Sequence, residues 1–81
     1  MGITDKQLES IIVKEDYKKV SDRMTICILT TKSGFEVLGK SSCLKVEDFS
    51  RELGERYARE DAINQLWELE GYRVKGGGSY E

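Results

Sequence analysis

The sequence predicts an α+β fold: an N-terminal helix, a three-stranded antiparallel meander and one long C-terminal helix. Three observations predict it. Met24 to Thr31, MTICILTT, is a dense run of β-branched and apolar residues. A short KSG turn separates it from a second extended run, FEVLGKSSCL. From about residue 50 to residue 70, apolar side chains then recur at helical spacing.

The first helix is expected over residues 5–15. Thr4 stands as N-cap with Gln7 three residues on, a capping box, and Ile3 and Leu8 occupy the two staple positions around it. Leu8, Ile11 and Ile12 make one narrow apolar stripe. DYKKV, Asp16 to Val20, reads as a weak first strand, and SDR as the turn after it. In the strongest strand Met24, Ile26 and Ile28 point one way and Cys27 and Leu29 the other. Two apolar faces predict cover on both sides of the sheet. Gly34 supplies the positive φ of the hairpin. The returning strand places Phe35 and Val37 on one face and Glu36, Leu38 and Lys40 on the other.

The long helix is expected to start near Asp48 to Ser50, either of which can cap it, and to run to about Glu70, stopping at Gly71. It carries two apolar faces. Phe49, Leu53, Tyr57, Ile63 and Trp67 form the bulkier one, fitted to cover a sheet. Gly54, Ala58, Ala62, Leu66 and Leu69 form the other, small at every fourth position until the leucines. Small residues admit a second backbone closely, so this stripe is expected to be a homo-oligomer interface; the alternative is that it receives the first helix of its own chain. Residues 1–75 are read as a single domain and 76–81 as a flexible Gly-rich tail.

An 81-residue chain builds one domain with a thin core. Apolar content of 38% is enough to reject wholesale disorder despite 35% charge. Two cysteines, with no secretory signal read ahead of them, are expected to be reduced, small, buried residues. Without histidine or a C-x-x-C pair no metal site is expected, and no cofactor. A net charge of −2 argues against a nucleic-acid polymer as partner, and no stretch reaches the ~20 apolar residues of a membrane span. An enzyme is not expected: the carboxylates Asp48, Glu52, Glu60 and Asp61 scatter around the helix, and Cys43 has no histidine to activate it.

Two groups of residues suit an anion. Arg56 and Arg59 stand between the apolar stripes with Glu52 and Glu70. One reading is a solvated ladder of charge pairs, the other an arginine pair gripping phosphate at the rim of an oligomer cleft. Lys40, Ser41 and Ser42 follow Gly39, but the string lacks the leading glycine and following helix of a P-loop.

TICILTTKSGFEVLGKSSC followed by DFSRELGERYAREDAINQLWELEGY resembles a widespread family of small tailed-phage proteins. The shared pattern is a hairpin with G-F-x-x-x-G-x-S-x-C, here Gly34, Phe35, Gly39, Ser41 and Cys43, then a helix with Glu52 to Gly54, Ala58 to Ile63 and Trp67 to Tyr72. KVEDFS departs from it, where the resemblance would place a Pro-containing segment with Asn. The layout is similar to the anti-Thoeris sponge proteins of phages, whose relatives capture cyclic nucleotides of anti-phage signalling such as those of CBASS. What the resemblance implies is a homo-oligomer, dimer or higher, in the host bacterial cytoplasm, with pockets at subunit junctions. Phe35 would stack on a base and Arg56 and Arg59 would bind phosphates, with Lys40, Ser41 and Ser42 nearby. The expected function is then sequestration of a nucleotide-derived immune signal without cleavage; the alternative is a protein-interaction module that inhibits a host enzyme or regulator.

Overall fold

The structure, a computed structural model, describes the backbone of residues 4–75 and the side chains of residues 4–69. The proposed tail at 76–81 and the staple residue Ile3 lie outside the described residues. The chain runs α1 (Asp5–Ser10), β1 (Ile12–Lys19), β2 (Met24–Thr31), β3 (Glu36–Ser42), a single 3-10 turn (Val46–Asp48) and α2 (Arg51–Lys75). The three strands form an antiparallel meander in the order β1-β2-β3. This is the expected α+β architecture.

The capping box forms as its residues predict: Gln7 N–H donates to Thr4 Oγ1 at 3.1 Å and Thr4 N–H to Gln7 Oε1 at 2.8 Å. The helix it starts is shorter than expected. It ends at Ser10, because Ile11, Ile12 and Val13 are β-branched and the chain turns into β1, where Ile12 pairs with Thr31. A bulge between Ile12 and Lys14 leaves Val13 exposed. The β2–β3 turn has Gly34 at φ 88°, and Thr31 closes it by donating its N–H to Phe35 O at 2.8 Å.

Helix α2 lies along one face of the sheet, and it presents the face opposite to the one expected. Ala58, Ala62 and Leu66 are fully buried against β2 and β3, whereas Leu53 and Tyr57 are 43% and 50% exposed. Ile63 and Trp67 pack at the margin of the core, half-buried. The reason is distance. At Gly39 on β3 an added Cβ would fall on the α2 backbone at Ala58 and Ala62 and come within 2.7 Å of Ala62 Cβ. Only small residues permit a helix to approach a strand this closely. The stripe of Gly54, Ala58, Ala62, Leu66 and Leu69 is therefore not an oligomer surface: its central residues are buried within one chain. Nor does it receive α1; its neighbours are β2 and β3.

Ser50 caps α2, its Oγ accepting from Leu53 N–H at 3.3 Å. The helix passes Gly71 and continues to Lys75. Its side chains also guard the outer edge of β3. Asp61 Oδ2 accepts from Lys40 N–H at 2.9 Å, and Gln65 Nε2 donates to Leu38 O, so two edge groups open to pairing with another strand are filled. Among the described residues the second face of the sheet has no cover, where two covered faces were expected.

Candidate functional site

Six side chains were expected to bind a ligand together, and the structure distributes them over four places. Phe35 is half exposed and lines an open depression of about 440 Å³ with Val37, Leu38, Gln65, Leu69 and the carboxylates Glu36 and Glu68. No cation lines it, so an anion would meet only repulsion there. Lys40 lies on the uncovered face of the sheet, level with Ile26.

Arg56 and Arg59 share a shallow cavity of about 390 Å³ with Glu9, Glu60, Ile63 and Asn64. Arg59 is committed to the fold. It makes four hydrogen bonds to two carboxylates: Nη2 and Nη1 to Glu9 at 2.7 and 3.2 Å, Nε and Nη2 to Glu15 at 3.1 and 3.0 Å. A guanidinium has five N–H donors, so one remains. The two carboxylates, Glu15 first, hold Arg59 more firmly in its charged form, and its hydrogen bonds hold the Glu15 carboxyl below the usual carboxylate range. Arg59 thus fastens α1 and β1 to α2, and its expected phosphate role is corrected to a structural one. Arg56 is exposed and loosely paired with Glu60 at 3.9 Å.

Ser41 and Ser42 are the residues that meet a built cavity. It measures about 140 Å³ and lies where β3 leaves the sheet and α2 begins, with Arg23, Cys43, Asp48, Phe49, Leu53 and Tyr57 in its walls. Local pairing assembles it. Met24 stands opposite Ser42, and Cys43 N–H donates to Arg23 O at 3.0 Å, which brings the end of the first turn beside the end of β3. Ser41 Oγ donates to Gly54 O at 2.7 Å and anchors the helix start to the strand. The lining residues Leu53 and Gly54 already donate their N–H groups to Ser50 Oγ and Ser50 O, and the positive end of the dipole of the 25-residue α2 lies beside the cavity. Chemically the cavity offers a guanidinium, the Ser42 hydroxyl, the Asp48 carboxylate and an aromatic wall.

Arg23, Phe49 and Tyr57 escaped the sequence reading. Arg23 sat in a segment read only as a turn, and the two aromatics were assigned to cover the sheet. Both cysteines are free. Cys27 is fully buried, and burial pushes its thiol up; Cys43 is half-buried rather than buried, its Sγ donating to Lys45 O at 3.2 Å. No group of metal-ligating side chains occurs among the described residues. Among the same residues no helix is long and apolar enough to cross a membrane.

The packing also explains the hairpin and helix pattern. Gly34 makes the turn, Gly39 admits Ala58 and Ala62, and Ser41 holds Gly54, so the two halves of the pattern are the two sides of one strand–helix contact. Residues 3–77 match the phage protein (N4 Gp49/phage Sf6 gene 66) family. No curated protein and no solved structure matches the chain. With nearly its whole length inside the match, the chain belongs to the phage protein (N4 Gp49/phage Sf6 gene 66) family.

Proposed function

We propose that this phage protein is a non-catalytic binder that sequesters a nucleotide-type immune signal, a cyclic ADP-ribose isomer or cyclic oligonucleotide, in the host bacterial cytoplasm. The observation that carries the reading is the convergence of Arg23, Ser42, Tyr57 and the first turn of α2 on one cavity. Phosphate is served by the Arg23 guanidinium and the positive end of the α2 dipole, and a base by the aromatic ring. At about 140 Å³ the cavity is smaller than the ~300–1,000 Å³ that usually encloses a small molecule. One chain therefore supplies a partial site. The exposed Leu44, Val46, Leu53 and Tyr57 around it provide apolar surface for a second copy to close over the ligand, as a homo-oligomer. The residue inventory supports binding rather than cleavage, since the sequence has no histidine to activate a nucleophile and burial pushes the Cys27 thiol up.

A second reading, a module that binds and inhibits a host protein, is favoured by the uncovered sheet face with half-buried Ile26 and Ile28 and half-exposed Leu38. One experiment separates the two. The protein is incubated with cyclic ADP-ribose isomers and cyclic dinucleotides, filtered free of excess ligand, and heat-denatured. Release of intact ligand supports sequestration; release of a hydrolysed product means an enzyme; retention of nothing leaves the protein-binding reading. Arg23→Glu should abolish uptake through lost contacts and charge repulsion, while leaving the circular dichroism spectrum unchanged.

A further inference from the structure

The two edges of the sheet are finished differently. Between β2 and β3, Thr31 N–H bonds Phe35 O and Cys43 N–H bonds Arg23 O, so the alternation of the ladder turns the backbone groups of Leu38 and Lys40 outward. Those are the groups that Gln65 and Asp61 fill. At the other edge, Val20 N–H bonds Met24 O at 2.9 Å, and the same alternation turns Asp16 and Lys18 toward β2 and the N–H and C=O of Glu15, Tyr17 and Lys19 outward. Among the described residues no hydrogen bond fills this outward row. A bulge ends the regular register at Lys14, so the open edge runs from Lys14 to Lys19. An unguarded edge is a template for another strand.

The charges along this edge select which strand. Lys14-Glu15-Asp16-Tyr17-Lys18-Lys19 changes sign at Tyr17, with two acids before it and two lysines after it. When a strand pairs antiparallel with a copy of itself about a two-fold axis, one residue lies on the axis and faces itself, and residues equally far to either side face each other. Tyr17 is the one uncharged residue of the six, so any other axis in the segment sets two like charges side by side. With Tyr17 on the axis, Asp16 faces Lys18 and Glu15 faces Lys19, each pair occurring twice. Within one chain, Lys18 and Lys19 form no ion pair among the described residues. Asp16 has an exposed contact to Lys14 at 3.6 Å, and Glu15 Oε2 accepts one bond from Arg59, with room for a second. Lysines on an edge discourage casual pairing. Here they oppose every symmetric register but one.

We propose that β1 pairs antiparallel with β1 of a second copy of this chain, about a two-fold axis at Tyr17, and joins two meanders into one continuous sheet in the order β3-β2-β1-β1-β2-β3. Three bonded pairs, each exchanging two N–H···O bonds, give about six backbone hydrogen bonds. The Asp16–Lys18 pairs lie on the open face and the Glu15–Lys19 pairs on the face under α2, flanking a central pair of tyrosine rings. Both α2 helices lie on the same side of the joined sheet. This interface is separate from the apolar rim of the Ser42 cavity and stands whether or not a nucleotide binds there.

The test is sedimentation equilibrium of the full chain from micromolar to millimolar concentration, with amide hydrogen exchange at both ends of the range. A monomer–dimer equilibrium is expected. Exchange should slow with concentration at Glu15, Tyr17 and Lys19 and stay constant at Asp16 and Lys18, whose N–H groups already bond β2. Lys18→Glu and Asp16→Lys should each weaken dimerisation by roughly tenfold, because the axis makes two facing pairs repulsive at once. The double variant Asp16→Lys/Lys18→Glu restores opposite charges in the same register and should dimerise like the wild type. Both side chains are exposed, and circular dichroism checks that each variant is folded. A wild type that stays monomeric at millimolar concentration, or a double variant as weak as the singles, would overturn the assignment. So would a dimer indifferent to both charge reversals, such as one that closes over the Ser42 cavity, and that outcome would leave the proposed ligand site standing.

Discussion

Strand β2 serves two faces of one sheet, and the faces obey different rules. On the face under α2, Thr25, Cys27, Leu29 and Thr31 are buried, with Val37 and Gly39 beside them on β3. On the other face Met24, Ile26, Ile28 and Thr30 are half-buried, flanked by Lys14, Asp16 and Lys18 on β1 and by Glu36, Leu38 and Lys40 on β3. The residue types of β2 hardly differ between the faces; if anything the open one holds the larger side chains. Burial was therefore decided by where a helix could come closest, and that was over Gly39. A strand's hydrophobicity shows that it belongs in a sheet, while the smallest residue on its neighbour selects the face that becomes core.

The sharpest way to break this comparison is to fill the contact. Gly39→Val places a side chain on the α2 backbone and should remove about 3 kcal/mol or more of stability, enough to abolish a cooperative melt in so small a domain. The neighbouring Leu38→Val on the open face should change the unfolding free energy from urea denaturation by no more than about 0.5 kcal/mol. Equal effects would mean that α2 does not lie over Gly39. Ala58→Leu tests the same contact from the helix side. It should lower the melting temperature without changing the molecular mass in light scattering, since Ala58 is buried within its own chain.

Next in size is Leu66→Ala. Leu66 is among the largest fully buried side chains, and its truncation should cost about 2–5 kcal/mol by equilibrium denaturation. A loss below about 1 kcal/mol would show a core able to collapse around the gap.

A smaller effect, with a pH signature, belongs to the Arg59 cluster at the margin of the covered face. Arg59 holds the Glu15 carboxyl below its ordinary value of 4.5. Its stabilisation is therefore fully present above that value and is lost as pH falls through the lowered native one. Wild type should exceed Glu15→Gln by up to about 1 kcal/mol at pH 7, a partly exposed pair being limited by solvent screening. The gap should close in acid. A gap that persisted at pH 2 would assign Glu15 a packing role instead.

A similarly small effect is expected of Ile28→Thr on the open face, about 0.5–1 kcal/mol, because only half of the side chain is out of water. Should it instead shift the sedimentation mass of the wild-type assembly, the open face is covered by a second copy in solution, and the contrast between the faces holds only for the isolated chain.

Much of the fold was legible in local chemistry. The Thr4 capping box, the β-branched run of β2, the Gly34 turn and the Ser50 cap each act through residues within a few positions, so their signals survive in the chain alone. The family pattern was legible too, because it combines a turn, a contact and a cap whose spacing is fixed. Less was legible where two outcomes had similar local energies. Ile11 to Val13 suit a helical stripe or a strand, and pairing with Thr31 chose the strand. The candidate site was legible least: Ser41 and Ser42 were marked, whereas Arg23 and Phe49 reached them through strand pairing and the placement of α2. Helical periodicity establishes that α2 has two apolar stripes, but it contains no distance to the sheet. Only tertiary packing supplied that distance, and at the separation set by Gly39 small residues fit where large ones clash. Ala58 and Ala62 became core, and Leu53 and Tyr57 were left half exposed.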